Sequence, residues 1–350
     1  MFGLFRYFSD QRLSPLRRSI GAIYAVLLMI NVLTWVWAGV LFEHQPVLLG
    51  TCLLAYGFGL RHAVDADHIA AIDNVTRKLM QEGSRPVSVG FFFALGHSAV
   101  VMIAAALIAG TAAALHVDEA KSIGGVISTT VSALFLFLIA VMNLLIFRSV
   151  LRTFRHVRGG GEFVEEDFDL LLNKRGFAAR LFRPLFRLVR RSWHMFPLGF
   201  LFGLGFETAT EVALLGISAT QAARGVSIWS ILVFPALFAA GMSLIDTTDG
   251  ILMLGAYEWA YVKPIRKLFY NMTITLVSVL IAFLIGGIEA LGLLKGQLRL
   301  TGRFWDAVGL LNSNFNSLGF IIIGIFILAW IGSVIIYRYK DYDSLGAKEG

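Results

Sequence analysis

The chain has 350 residues, of which 57% are hydrophobic and 15% charged, and its mean hydropathy is +0.74. That balance excludes an ordinary soluble domain and predicts a polytopic helical membrane protein. The net charge of +7 does not indicate a nucleic-acid partner, because most basic residues lie between apolar segments. The single cysteine, Cys52, excludes an internal disulfide and a cysteine-based metal site, and it reads as a small buried apolar residue.

At about 20 apolar residues per crossing, eight spans are expected. They cover roughly residues 20–42, 48–74, 87–112, 123–147, 195–219, 227–252, 270–294 and 315–337. The first follows Arg6, Arg12, Arg17 and Arg18 and is too long for a signal-peptide core, so it reads as a retained span. With the N-terminus inside, the inside segments hold 24 of the 30 Lys and Arg residues. This asymmetry predicts an even number of spans with both termini in the cytoplasm. The whole chain, 1–350, reads as a single transmembrane transporter domain, with residues 148–193 as a large basic cytoplasmic loop. The second half of that loop interleaves Arg180, Arg183, Arg187 and Arg190 with apolar residues. It reads chiefly as a positive-inside anchor, and Pro184 argues against one uninterrupted helix there.

The second span carries GFGLRHAVDADHIAAIDN, residues 57–74. Ionisable groups at membrane depth are expensive and face a protein interior or a water-filled path. Imidazole with carboxylate is also a ligand set for a divalent first-row metal. On one continuous helix, His62, Asp65 and His68 fall on a shared face, which favours Asp65 as a ligand and turns Asp67 elsewhere, to orient a histidine or to pair with Arg61. If Gly57 and Gly59 break the helix, that wheel fails and unwound backbone adds oxygen ligands. The third span adds His97, in ALGHSAV. The fifth holds GLGFETATEV, in which Glu207 and Glu211 are spaced i, i+4 beside Thr208 and Thr210. The sixth holds GMSLIDTTDG, with Asp246 and Asp249. Four carboxylates in two apolar spans imply a cation, a proton or basic partners.

A faint internal echo pairs DADHIAAI with TATEVALL, and ALGHSAV with AAGMSLI. Spans 2 and 3 then correspond to spans 5 and 6. An offset of three spans inverts membrane orientation, which is the signature of an inverted-repeat transporter with its site at the repeat interface.

The sequence has no G-x-x-x-x-G-K-[ST] loop and no H-E-x-x-H element, which argues against ATP hydrolysis by that route and against a zincin-type protease. Of seven histidines, His44, His116, His156 and His194 are expected outside the membrane core. The three that remain are few for an oxygen-activating di-iron enzyme.

RHAVDADHIAAIDN, LGHSAVV, LGFETATE and GMSLIDTTDG together resemble the signature segments of the nickel/cobalt transporter family of bacterial permeases. The resemblance covers nearly the whole chain and is nearest to the high-affinity nickel permeases. Its most diagnostic element is H-x-x-x-x-D-H, here His62, Asp67 and His68. It implies eight spans with cytoplasmic ends, the cytoplasmic (inner) membrane of a bacterium, and supply of nickel to hydrogenase and urease. The family motif stresses Asp67 where residue geometry favours Asp65, and both stay open. Glu207 stands where the family usually has Asp.

The sequence therefore predicts a secondary permease for uptake of Ni²⁺, and also Co²⁺, with the ion as substrate and no cofactor. His62, Asp65, Asp67, His68 and His97 are the metal candidates. Glu207, Thr208, Thr210, Glu211, Asp246 and Asp249 are the candidates for the translocation path or proton coupling. The expected partners are the ions and the lipid bilayer, with no nucleic acid and no ATPase subunit. A divalent ion moving down a 100 mV potential gains roughly 4.6 kcal/mol, so accumulation needs no ATP. The alternatives from the same residues are an intramembrane metal-dependent hydrolase and an exporter of the same ions.

Overall fold

The computed structural model describes residues 14–110, 117–158, 189–205, 208–260 and 264–339. Among the described residues every regular element is helical, as a chain that spans lipid without a closed barrel requires. The helices are α1 (Ser14–Phe42), α2 (Pro46–His62), α3 (Ala66–Gln81), α4 (Val89–Gly110), α5 (Val117–Arg158), α6 (Met195–Gly203), α7 (Ala209–Ala223), α8 (Ile228–Ile231), α9 (Val233–Ala260), α10 (Pro264–Leu298), α11 (Arg303–Asn312) and α12 (Phe315–Tyr339).

Among the described residues, six helical stretches are long and apolar enough to cross a membrane. α2 and α3 pass the same test only as a pair bent by 53°. The outer helices turn large apolar side chains outward, such as Leu28, Val32, Val36 and Val40 on α1 and Phe320, Ile321 and Leu328 on α12. An apolar exterior of this extent fits lipid as the surrounding solvent. The polarity runs the other way inside. α3 is the least apolar of the spanning segments, yet nearly all of its described side chains are buried. The apolar helices are thus a jacket around a polar strand of chemistry.

Three spans differ from the sequence-based expectation. The second is not one helix. It breaks at Ala63–Asp65, while Gly57 and Gly59 stay helical inside α2. Asp65 is extended (φ −72°, ψ 148°) and occupies the N-cap position of α3, but its side chain makes no capping hydrogen bond and turns to His62 instead. The fifth expected span, 195–219, is also two pieces, α6 and α7, each too short to cross alone. Thr208 is extended (φ −87°, ψ 146°) and caps α7 through a capping box with Glu211. The fourth continues past the expected end at 147 to Arg158, where Phe154 packs on Phe269. The basic stretch 180–190, expected as a positive-inside anchor, lies mostly outside the described residues.

The two interrupted segments are packed reciprocally. α9 lies against α2, where a side chain at Gly59 would strike the Phe238 carbonyl and one at Gly241 would stand 2.8 Å from the Tyr56 carbonyl. α4 lies against α6, where a side chain at Gly96 would strike the Phe196 carbonyl and one at Gly199 the Phe93 carbonyl. Gly96 and Gly241 are the glycines that the two echoed segments align. Asp65 and Thr208, aligned in the other pair, are the two N-caps. Each long helix therefore seats on the broken helix of the opposite half, as an inverted repeat expects.

Candidate metal site

α2 ends at His62, and the break turns the chain so that α3 starts beside it. His62 Nδ1 lies 3.2 Å from Asp65 Oδ2 across that turn. His68 sits in the first turn of α3, where Asp67 Oδ1 accepts its backbone N–H at 3.0 Å. His97 arrives from α4, brought close by the glycine contacts with α6. The three imidazoles form a nearly equilateral triangle, with ring centroids 4.7, 4.8 and 4.9 Å apart. One nitrogen from each lies within 4.8 Å of the others, the spacing of a set that could hold a metal ion. His62, His68 and His97 are 2%, 0% and 3% exposed, so an ion there would draw its ligands from protein rather than bulk water.

The His62–His97 spacing suits a divalent transition ion. His62 Nε2 and His97 Nε2 are 2.9 Å apart. If each stood roughly 2.1 Å from an ion, a usual metal–imidazole length, the two would subtend about 90°. Neighbouring positions of octahedral or square-planar coordination have that angle, and Ni²⁺ adopts tetragonal nitrogen and oxygen sites. His68 Nε2 is buried and has no hydrogen-bond partner among the described residues.

Two of the imidazoles have an outer partner, whereas His97 Nδ1 is buried with no hydrogen-bond partner among the described residues. His68 Nδ1 lies 3.2 and 3.3 Å from the two oxygens of Asp246 on α9. His62 Nδ1 is flanked by Asp65 and by the hydroxyl of Thr208 at 3.3 Å, with Thr210 at 3.5 Å. Carboxylate or hydroxyl partners of this kind fix the ring and the tautomer of a metal-binding histidine. Glu211 stands closer in. Its Oε1 is 2.9 Å from His97 Nε2 and 3.9 Å from His62 Nε2. Its Oε2 accepts the Thr208 hydroxyl at 2.9 Å. Phe93 and Phe238 close the apolar sides, edge-on to His68 and tilted over His62.

The expected residues thus divide. His62, His68, His97 and Asp65 meet in one site. Thr208, Thr210, Glu211 and Asp246, expected along the path, meet it too. Asp67 accepts the His68 backbone N–H and lies within electrostatic reach of His68 and His62. Asp249 lies further along α9, away from the imidazoles. Glu207, and with it the expectation that it shares a helix face with Glu211, lies outside the described residues. His62, Asp65 and His68 do not share a helix face, because the break separates them. The same break nonetheless folds them together. Phe93, Phe238 and the four crossing glycines were missed in the sequence. Of these, only Gly96 and Gly241 lie in the echoed segments, where they are aligned small-residue positions.

A profile of the NicO family, described as high-affinity nickel-transport protein, matches residues 48–336. The chain belongs to the NicO family. A high-affinity nickel transport protein of Cupriavidus necator is 63% identical over 93% of this chain and 94% of its own length. The hydrogenase nickel incorporation protein HupN of Bradyrhizobium diazoefficiens is 54% identical over 93% of this chain and 85% of its own. The cobalt transport protein NhlF of Rhodococcus rhodochrous is 40% identical over 93% of this chain and 94% of its own. No solved structure matches. The NicO match spans both broken helices and all three site imidazoles.

Proposed function

We propose that this NicO chain is a secondary permease that takes up Ni²⁺, with Co²⁺ as a second substrate, across the bacterial cytoplasmic membrane. On this reading residues 1–350 form one transport domain with both ends in the cytoplasm. The observation that carries it is the convergence of His62, His68 and His97, from three helices, at the break between α2 and α3. The relatives' names support the choice of ions. HupN's name adds a plausible destination, the supply of nickel to hydrogenase and similar enzymes. The cation is cargo rather than a resident cofactor, and no catalytic chemistry is assigned.

The chain's residues do three things in this reading. The imidazoles replace part of the ion's hydration shell and favour nickel and cobalt over magnesium and calcium, which prefer oxygen. Asp65, Asp246 and Glu211 supply negative charge that offsets the ion in an apolar interior. The half-helix breaks let the site's walls shift as rigid pieces around the ion, as in other transporters built on broken helices.

The test is uptake of ⁶³Ni²⁺ at nanomolar concentration by cells expressing the chain, beside a His62→Ala version, with Co²⁺ as competitor. The expected result is uptake that Co²⁺ reduces and His62→Ala abolishes. No uptake above the empty-vector control, with the protein present in the membrane, would overturn the reading.

A further inference from the structure

Beyond the imidazoles lies a second polar cluster, toward the C-terminal ends of α3 and α9. The two helices run side by side here. His68 meets Asp246, and four residues further on Ile72 meets Gly250, where an added Cβ would stand 3.4 Å from Ile72 Cγ2. Asp73 follows on α3, fully buried, and its Oδ2 accepts the hydroxyl of Ser278 on α10 at 2.7 Å. Asp249 lies on α9 within electrostatic reach of Asp73 and Asp246. Its Oδ2 is shielded from solvent and has no hydrogen-bond partner among the described residues.

A separate observation marks the place as a ligand position. Thr76, the next turn of α3, is completely buried, and its hydroxyl has no hydrogen-bond partner among the described residues. It points at the α9 backbone beside Asp249, 3.9 Å from where a side chain on Gly250 would begin. The nearby guanidinium of Arg77 donates from Nη2 to Asn74 Oδ1 at 2.9 Å, and its Nε and Nη1 have no hydrogen-bond partner among the described residues. Two carboxylates within electrostatic reach of each other and a bare hydroxyl beside them in an apolar interior are costly unless a cation or a proton meets them.

We propose that Asp73 and Asp249, with the hydroxyls of Thr76 and Ser278, form a second, all-oxygen site for a divalent cation, which receives the ion as it leaves the imidazoles. The proposal rests on the transport reading of the histidine site. Five residues of helix separate His68 from Asp73, about 7.5 Å along the axis, which is one short step for an ion. Oxygen donors hold Ni²⁺ less tightly than imidazole does, so a transfer in this direction loosens the ion before release. The step leads toward the side where Arg77, Lys78 and most other basic residues lie, the side expected to face the cytoplasm.

Two metals read the two sites separately in the purified full-length chain. Mn²⁺ prefers oxygen and is followed by loss of its free-ion EPR signal. Co²⁺ reports imidazole ligation by its visible d–d absorption. The wild-type chain is expected to bind Mn²⁺. Asp73→Asn and Asp249→Asn should each weaken Mn²⁺ binding at least tenfold, leave the Co²⁺ spectrum in place and slow ⁶³Ni²⁺ uptake. His62→Ala should do the reverse, keeping Mn²⁺ and changing the Co²⁺ spectrum. Thr76→Val, which removes no charge, should weaken Mn²⁺ binding as well and decides the matter if an Asn variant fails to fold. No Mn²⁺ binding by wild type, or binding that Asp249→Asn and Thr76→Val leave unaltered, would overturn the second site. A Co²⁺ spectrum insensitive to His62→Ala would instead count against the imidazole site.

Discussion

Glu211 Oε1 stands 2.9 Å from His97 Nε2, while the other oxygen of the same carboxylate is tied to the hydroxyl of Thr208 at 2.9 Å. One side chain therefore links the second broken helix to the imidazole cluster that the first broken helix carries. Glu211→Gln keeps the size and loses the charge. Groups that orient or offset a metal ligand are typically worth 10–100-fold in affinity. The Ni²⁺ concentration for half-maximal uptake should rise by about that factor, with protein abundance unchanged. An unchanged concentration dependence would mean that Glu211 serves only as a helix cap.

Thr208 separates the cap from the site. Its side chain accepts the Glu211 N–H, donates to Glu211 Oε2 and lies 3.3 Å from His62 Nδ1. Thr208→Ser keeps the hydroxyl and should transport nearly normally. Thr208→Ala loses the side-chain half of the cap, at a cost of about 1 kcal/mol, and removes one of the hydrogen bonds that hold the Glu211 carboxylate, leaving the backbone N–H of residue 208 on Oε2. Its thermal midpoint should fall and its Ni²⁺ uptake should drop with it. Equal uptake by the Ser and Ala variants would show that the hydroxyl plays no part in setting the site.

Binding should also stabilise the fold. A ligand at one hundred times its dissociation constant adds about 2.7 kcal/mol to a protein that binds it only when folded. Ni²⁺ should therefore raise the unfolding temperature of the purified chain. His97→Ala, which removes one of three converging nitrogens, should abolish most of that rise. Mg²⁺ at the same concentration should give little, since imidazole is a poor ligand for it. A shift of equal size for Mg²⁺ would point to charge screening rather than to the histidines.

How much of this was legible depended on whether the signal was local. The membrane class and the histidines stood out because apolar runs and buried polar residues are local facts. The cluster of His62, His68 and His97 was legible for a similar reason. The break after His62 was harder. The glycines at 57 and 59 are the natural breakers on sequence grounds, but both stay helical; Gly59 serves instead as a small surface pressed against α9, while Gly57 has nothing within 4 Å of an added Cβ. The chain breaks instead at Asp65, whose extended backbone caps α3. The fifth span misled because MFPLGFLFGLGF and the residues after it are as apolar as a true crossing helix. The turn before Thr208 interrupts that run, and hydropathy averages across such a turn. The move of Glu211 from path residue to site wall depends on packing between α4 and α7, which one sequence does not display.

The two breaks should be mechanically coupled to helices that touch no ion. A Cβ at Gly319 of α12 would collide with the Val64 carbonyl, in the middle of the first break. A Cβ at Gly124 of α5 would collide with the Leu204 carbonyl, at the start of the second. In both places the third helix reaches the exposed backbone of a break through a glycine, so an added methyl has only backbone to push against. Overpacking of this kind costs about 1–3 kcal/mol and displaces what it meets. Gly319→Ala and Gly124→Ala should each cut Ni²⁺ uptake severely while the protein still reaches the membrane. Gly324→Ala and Gly332→Ala lie on the same helix as Gly319 with nothing within 4 Å of the new methyl. They should leave uptake unchanged, because alanine suits a helix better than glycine does. If Gly319→Ala transports as well as Gly324→Ala, the break at Val64 does not depend on α12, and the first half-site must be held by α4 and α9 alone.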